Sequence, residues 1–134
     1  MYDSNSLAVF KILIMAQGCS DRPLNGKNCG KSSGSIRVNG IEKSHGKRGL
    51  NVVVYNLITG SFEGAMNFDT HGNKDAARLF TTFINGIEMN RLILVASADS
   101  YTRAMDAEAY AALVCILFSL CTFYCSLFTA VELQ

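Results

Sequence analysis

Tryptophan is absent from this chain and proline occurs only once. Without Trp, the aromatic lining common in ligand sites falls to Tyr and Phe alone. A single Pro excludes a proline-rich linker or a polyproline recognition segment. Histidine occurs twice, as His45 and His71, and no Cys-x-x-Cys or Cys/His spacing suits zinc. There is no internal repeat and no Asn-x-Ser/Thr acceptor. Charge is also sparse: 17% of residues are charged and the formal net charge is +1. A nucleic-acid binder needs a basic stripe, so that class is excluded. Lys27, Lys31, Arg37, Lys43, Lys47 and Arg48 are scattered through loops and read as solvated surface.

What is present is apolar sequence, 49% of 134 residues, enough for one domain with a core. Residues 46–98 form the central unit. Leu50, Val52, Val53, Val54 and Tyr55 predict a strand covered on both faces. Asn56 to Gly60 carries turn chemistry. Phe62, Met66 and Phe68 then alternate with Glu63, Ala65 and Asn67, which predicts a half-buried strand closing an antiparallel hairpin. After His71-Gly72 the period changes. Ala76, Leu79, Phe80, Phe83, Ile84 and Ile87 share one helical stripe, with Asn73 as N-cap, Asp75 in the first turn and Gly86 as the stop. Leu92 to Ala96 predicts a second strand buried on both faces.

The flanks are less regular. Residues 1–7 are polar and read as a frayed end. Residues 7–16 could pass for a signal-peptide core, but Asp3 stands where a cationic region belongs, and residues 9–16 read instead as a strand. A polar loop follows, bracketed by Cys19 and Cys29, for which a disulfide and two free thiols are both open readings. Its Gly26-Lys27-Asn28-Cys29-Gly30-Lys31-Ser32 approaches a phosphate-binding loop, one residue short between the glycines. Ile36-Arg37-Val38 follows where that motif needs a helix, so nucleotide binding is not expected. Asn39-Gly40 predicts a type I′ turn. At the far end, residues 109–131 contain no charge and are long enough, as a helix, to span a bilayer. Tyr110 and Leu113 continue the stripe begun at Met105, so a helix is expected to start within the domain and continue as an apolar tail over residues 114–134. That tail is the expected membrane contact.

Catalytic constellations are hard to find. Asp69, His71 and Asp75 could suggest a base–orienter pair, yet turn and capping roles suffice for them. Asp69 and Asp99 both end strands and could pair as glycosidase carboxylates, though spacing gives no separation.

Several pieces together resemble the ILEI/PANDER domain family: Arg48 to Val54, Thr59-Gly60, Phe68-Asp69-Thr70, Phe83-Ile84-Asn85-Gly86, Leu92 to Ala96 and Asp99. Ser35 to Gly40 resembles the strand before them and Phe10-Lys11-Ile12 the opening strand. The family includes interleukin-like EMT inducer and is similar to the stem domain of protein O-linked-mannose N-acetylglucosaminyltransferase. The resemblance implies an α+β protein, a compact β-β-α fold of small packed antiparallel sheets flanked by helices, here with an apolar C-terminal helix. It implies a domain over residues 8–113, C-terminally incomplete because the family's aromatic-rich last strands have no counterpart. It further implies a non-catalytic module without cofactor or metal, extracellular or in the Golgi lumen, whose partner is a glycan or a cell-surface protein. An accessory domain detached from a glycosyltransferase or hyaluronan-active enzyme, and a small enzyme, are the alternatives. Candidate ligand-binding residues are Arg48, Tyr55, Asp69, Asp99 and Tyr101.

Overall fold

Strand β4 (Gly49–Asn56) pairs antiparallel with β6 (Arg91–Ala98) over its whole length, from Gly49↔Ala98 to Asn56↔Arg91. The computed structural model describes residues 9–17, 33–118 and 128–132. The other described elements are β1 (Ile12–Gln17), β2 (Ser33–Val38), β3 (Ile41–Glu42), β5 (Phe62–Phe68), α1 (Ala76–Asn85), α2 (Ala107–Phe118) and β7 (Phe128–Glu132). The strand order is β3-β2-β1-β6-β4-β5, with β7 also beside β6. It divides into two antiparallel three-stranded halves, β3-β2-β1 and β6-β4-β5, joined at the parallel pair Gln17↔Ala98. This is an α+β fold.

Both faces of the β4–β6 pair are covered, which explains their continuous apolar sequence. On one face Leu50, Val52, Val54, Ile93 and Val95 pack under α1 and α2, against Phe80, Ile84, Leu113 and Ile116. On the other, Val53, Tyr55, Leu92, Leu94 and Ala96 meet Ile36 and Val38 of β2, with Phe10 and Ile14 beside them. Full burial of each such side chain contributes about 1.5–3 kcal/mol before ordering entropy is subtracted. The Asn39-Gly40 turn has φ of 53° and 82°, the doubly positive geometry of a type I′ turn.

Three local expectations are corrected. The strict alternation in β5 places Phe62, Met66 and Phe68 on one face. A register shift between Val54 and Tyr55 inserts an extra residue, and Phe62 packs on Tyr55 while Phe68 lies among the helix-facing residues. A bulge re-aims every side chain beyond it. In α1, Asp75 rather than Asn73 occupies the N-cap position, and Asn73 accepts the Asp75 N–H at 2.9 Å in the turn before it. The buried stripe is Ala76, Ala77, Phe80 and Ile84; Leu79 is 45% exposed, and Phe83 sits at the rim, tilted against Phe68.

The largest correction is at the C-terminal end. The uncharged stretch 109–131 is not one helix: α2 ends at Phe118, and β7 pairs parallel with β6 from Leu92↔Phe128 to Ala96↔Glu132. Without β7, the second edge of β6 would carry a row of unpaired backbone groups beyond its single pair with β1. A parallel neighbour requires a crossover, and α2 lies within it. No helix among the described residues is long and apolar enough to cross a membrane. Cys19, Cys29 and the loop resembling a phosphate-binding motif lie outside the described residues. Cys115, half-buried on α2, is disulfide-bonded.

Phe80 is fully buried, so Phe80→Ala is expected to lower unfolding free energy by about 3–5 kcal/mol. Exposed Leu79→Ala should change it by about 0.5 kcal/mol or less. Urea denaturation of both variants checks the helix face; a larger loss for Leu79→Ala would reverse the assignment.

Candidate functional site

One end of the β4–β5–β6 half collects most of its polar groups. Just past the Leu50↔Phe68 pair, Asp69 leaves β5 and meets Arg48, which precedes β4. Arg48 Nε donates to Asp69 Oδ1 at 3.0 Å and Nη2 donates to Oδ2 at 2.7 Å, a bidentate fork. The Gly72 N–H donates to Oδ1 as well, at 2.9 Å. The hydrogen bond from Arg48, reinforced by that from Gly72, holds the Asp69 carboxyl down at about 2. Asp69 and, more weakly, Asp99 raise the Arg48 guanidinium above its ordinary value.

The backbone is shaped to allow this fork. Gly49 has φ of +99°, and a Cβ there would lie 2.1 Å from the Phe68 carbonyl oxygen. A Cβ on Gly72 would meet Arg48 Nη2 at 2.2 Å. Beneath the fork, fully buried Asn51 accepts the Lys47 N–H at 3.1 Å and donates back to the Lys47 carbonyl at 2.7 Å. Asn67 Nδ2 donates to Asn51 Oδ1 at 3.1 Å and to the Arg48 carbonyl at 3.1 Å. The side chains of this platform hydrogen-bond mainly to one another and to the backbone beside them, and buried Asn51 is satisfied as a buried polar group requires.

The residues named from sequence divide accordingly. Arg48, Asp69 and Asp99 come together. Tyr101 is half-buried and packs against the helix-side core, where burial raises its hydroxyl pKa. Tyr55 is elsewhere: 5% exposed, on the opposite sheet face, between the Phe10 and Phe62 rings at 5.3 and 5.5 Å. It is a packing residue, and burial raises its pKa too. Among the described residues, no three His, Cys, Asp or Glu side chains gather where a metal ion could bind.

Beside the Arg48–Asp69 fork lies a cleft of about 430 Å³, lined by His71, Gly72, Lys74, Arg103, Ala104 and Met105. The Ala104 N–H donates to the Thr70 carbonyl at 2.7 Å, tying the loop after β6 to the turn before α1. That bond brings Arg103 beside His71 and Lys74. Within the described residues, His71 Nδ1 and Thr70 Oγ1 are buried without a hydrogen-bond partner. Such atoms carry a desolvation cost that a ligand or water can relieve. Sequence reading missed this cleft, because Lys74 and Arg103 lie far apart in the chain and neither belongs to a motif. Asn51 did leave a signal, as the one polar residue within Leu50 to Tyr55.

A second groove, about 360 Å³, runs between β5 and α1. Val54, Met66, Phe83 and Ile87 give it apolar walls. Its Arg91 is already held by Glu63 at 2.6 Å and Glu88 at 3.2 Å. The first cleft therefore offers uncommitted donors and the second does not.

Asp69 has its folded pKa below the unfolded value of 3.8. Its stabilising contribution is complete above that value and is lost as pH falls toward about 2. Asp69→Asn is expected to flatten the stability–pH curve in that window and leave its shape near neutrality unchanged. Urea midpoints measured across the acid range check this; an unchanged acid slope would show that the fork does not persist in solution. Gly49→Ala should destabilise by at least about 2 kcal/mol, since it combines a strained φ with a backbone clash.

A family model described as interleukin-like EMT inducer matches residues 48–117, a little over half of the 134 residues. The match begins at Arg48 and runs through β4, β5, α1 and β6 into α2. Among curated proteins, no match is found. The chain belongs to the interleukin-like EMT inducer (ILEI) family.

Proposed function

We propose that this ILEI-family domain is a non-catalytic carbohydrate-binding module of the secretory pathway or extracellular space. The observation that carries the reading is the pairing of a locked polar platform with an open cleft. Arg48, Asp69, Asn51 and Asn67 are mutually satisfied and hold the loops in place. Lys74, Arg103 and His71 line the adjoining cleft without an ion pair among the described residues. A preformed cavity with a few convergent hydrogen-bonding groups suits a small polar ligand, and about 430 Å³ accommodates one or two sugar rings. Asp69 is held as a permanently ionised positioning group, not poised near neutral pH as a general acid would be. The Cys115 disulfide supports an oxidising compartment.

The test is a glycan array probed with the full chain, read beside Arg48→Ala, which removes the fork that fixes the turn at Gly72. Wild type is expected to bind a defined set of glycans, and Arg48→Ala to lose that binding. Binding to a cell-surface protein that survives enzymatic removal of glycans, with a blank array, would instead support recognition of a protein receptor. Turnover of a glycan on the array would support an enzyme.

A further inference from the structure

The chemistry of the cleft points to a narrower class of ligand. We infer that it takes a sugar bearing an anionic group, either a carboxylate or a sulfate ester; this rests on the carbohydrate-binding reading above. Three nitrogen-bearing side chains line the cleft, and none of its lining residues is acidic. Asp69, two residues before His71, is neutralised by Arg48 at 2.7 Å. Asp106, which follows Met105 and is outside the lining, accepts the Ala109 N–H at 2.8 Å at the start of α2. Asp75 lies at the N-cap of α1, outside the lining. Lys74 and Arg103 therefore line a cavity whose own lining holds no carboxylate. The buried His71 Nδ1 adds a polar atom that no described residue satisfies.

The arrangement suits a small anion on a larger polar body. Arg103 presents a planar fork that matches a carboxylate or sulfate edge, and Lys74 a point charge. The Ala104–Thr70 hydrogen bond keeps the two loops in register, so these groups are brought together before a ligand arrives. Met105 and Ala104 supply apolar surface for the ring carbons. A neutral sugar could enter the same cleft but would leave both cations without a partner.

The test uses the full chain and three fluorescent disaccharide probes of equal size: one neutral and N-acetylated, one with a uronate, one with a sulfate ester. Affinity is measured by polarisation at low and physiological salt. The acidic probes are expected to bind about tenfold or more tightly than the neutral one, in keeping with charge-assisted hydrogen bonds. The uronate and sulfate arms show which anion is preferred. The double variant Lys74→Ala/Arg103→Ala should lose that advantage and keep its melting temperature, because both side chains are exposed. Arg78→Ala, which removes an exposed cation of α1 outside the cleft, serves as the control for diffuse surface charge. Equal affinity for neutral and acidic probes overturns the anionic preference and leaves the carbohydrate reading standing. An equal loss from Arg78→Ala also overturns it, by assigning the effect to general surface charge. Failure of wild type to bind any probe overturns both.

Discussion

The antiparallel pairing of β4 with β6 is the constraint on which the rest of the structure depends. Eight consecutive residue pairs fix one register, and both strands are buried on both faces. Slipping that register by one residue would exchange the helix-facing set, Leu50, Val52 and Val54, with the set facing β2. Each face has a different cover, so the slip would misplace both cores at once. The helices α1 and α2 and the β1–β2–β3 half are consequences of this pair, since two hydrophobic faces need two covers.

The same register builds the site. With Gly49 opposite Ala98, Arg48 and Asp99 emerge from one end of the pair. With Leu50 opposite Phe68, Asp69 is delivered to Arg48. The positive φ at Gly49 and the missing side chain at Gly72 then let the guanidinium close on the carboxylate. What results is a positioning device. An ion pair as exposed as this adds little to stability, but it sets the turn that carries His71 and Lys74, and the Ala104–Thr70 hydrogen bond brings Arg103 to meet them. The cleft is thus placed in the loops and rigidity in the strands.

Much of the fold was legible because its signals were local and redundant. The β4–β5 hairpin, the helix α1, the buried strand β6 and the Asn39-Gly40 turn each have a period or a turn dipeptide that states its geometry. Where reading failed, a non-local partner had decided. Nothing in residues 62–68 shows the bulge that turns Phe62 toward Tyr55; that depends on how β5 meets β4. Residues 109–131 read as one apolar helix because apolarity alone does not separate a buried helix from a buried strand. The unsatisfied edge of β6 recruits residues 128–132 as a strand instead.

The sequence by itself determined the α+β class, the order of the central elements, the two-faced burial of β4 and β6, and the resemblance that identifies the family. The element order and the two-faced burial follow from side-chain periodicity and turn chemistry, which act over a few residues, and the fold class and family from the resemblance. Only the tertiary structure decided that Tyr55 is packed between two rings, that residues 128–132 return beside β6, and that Lys74 and Arg103 share a cleft. The reason is physical: those facts depend on contacts between segments far apart in the chain, and no local pattern encodes the cavity left between two loops once a sheet has fixed where they begin.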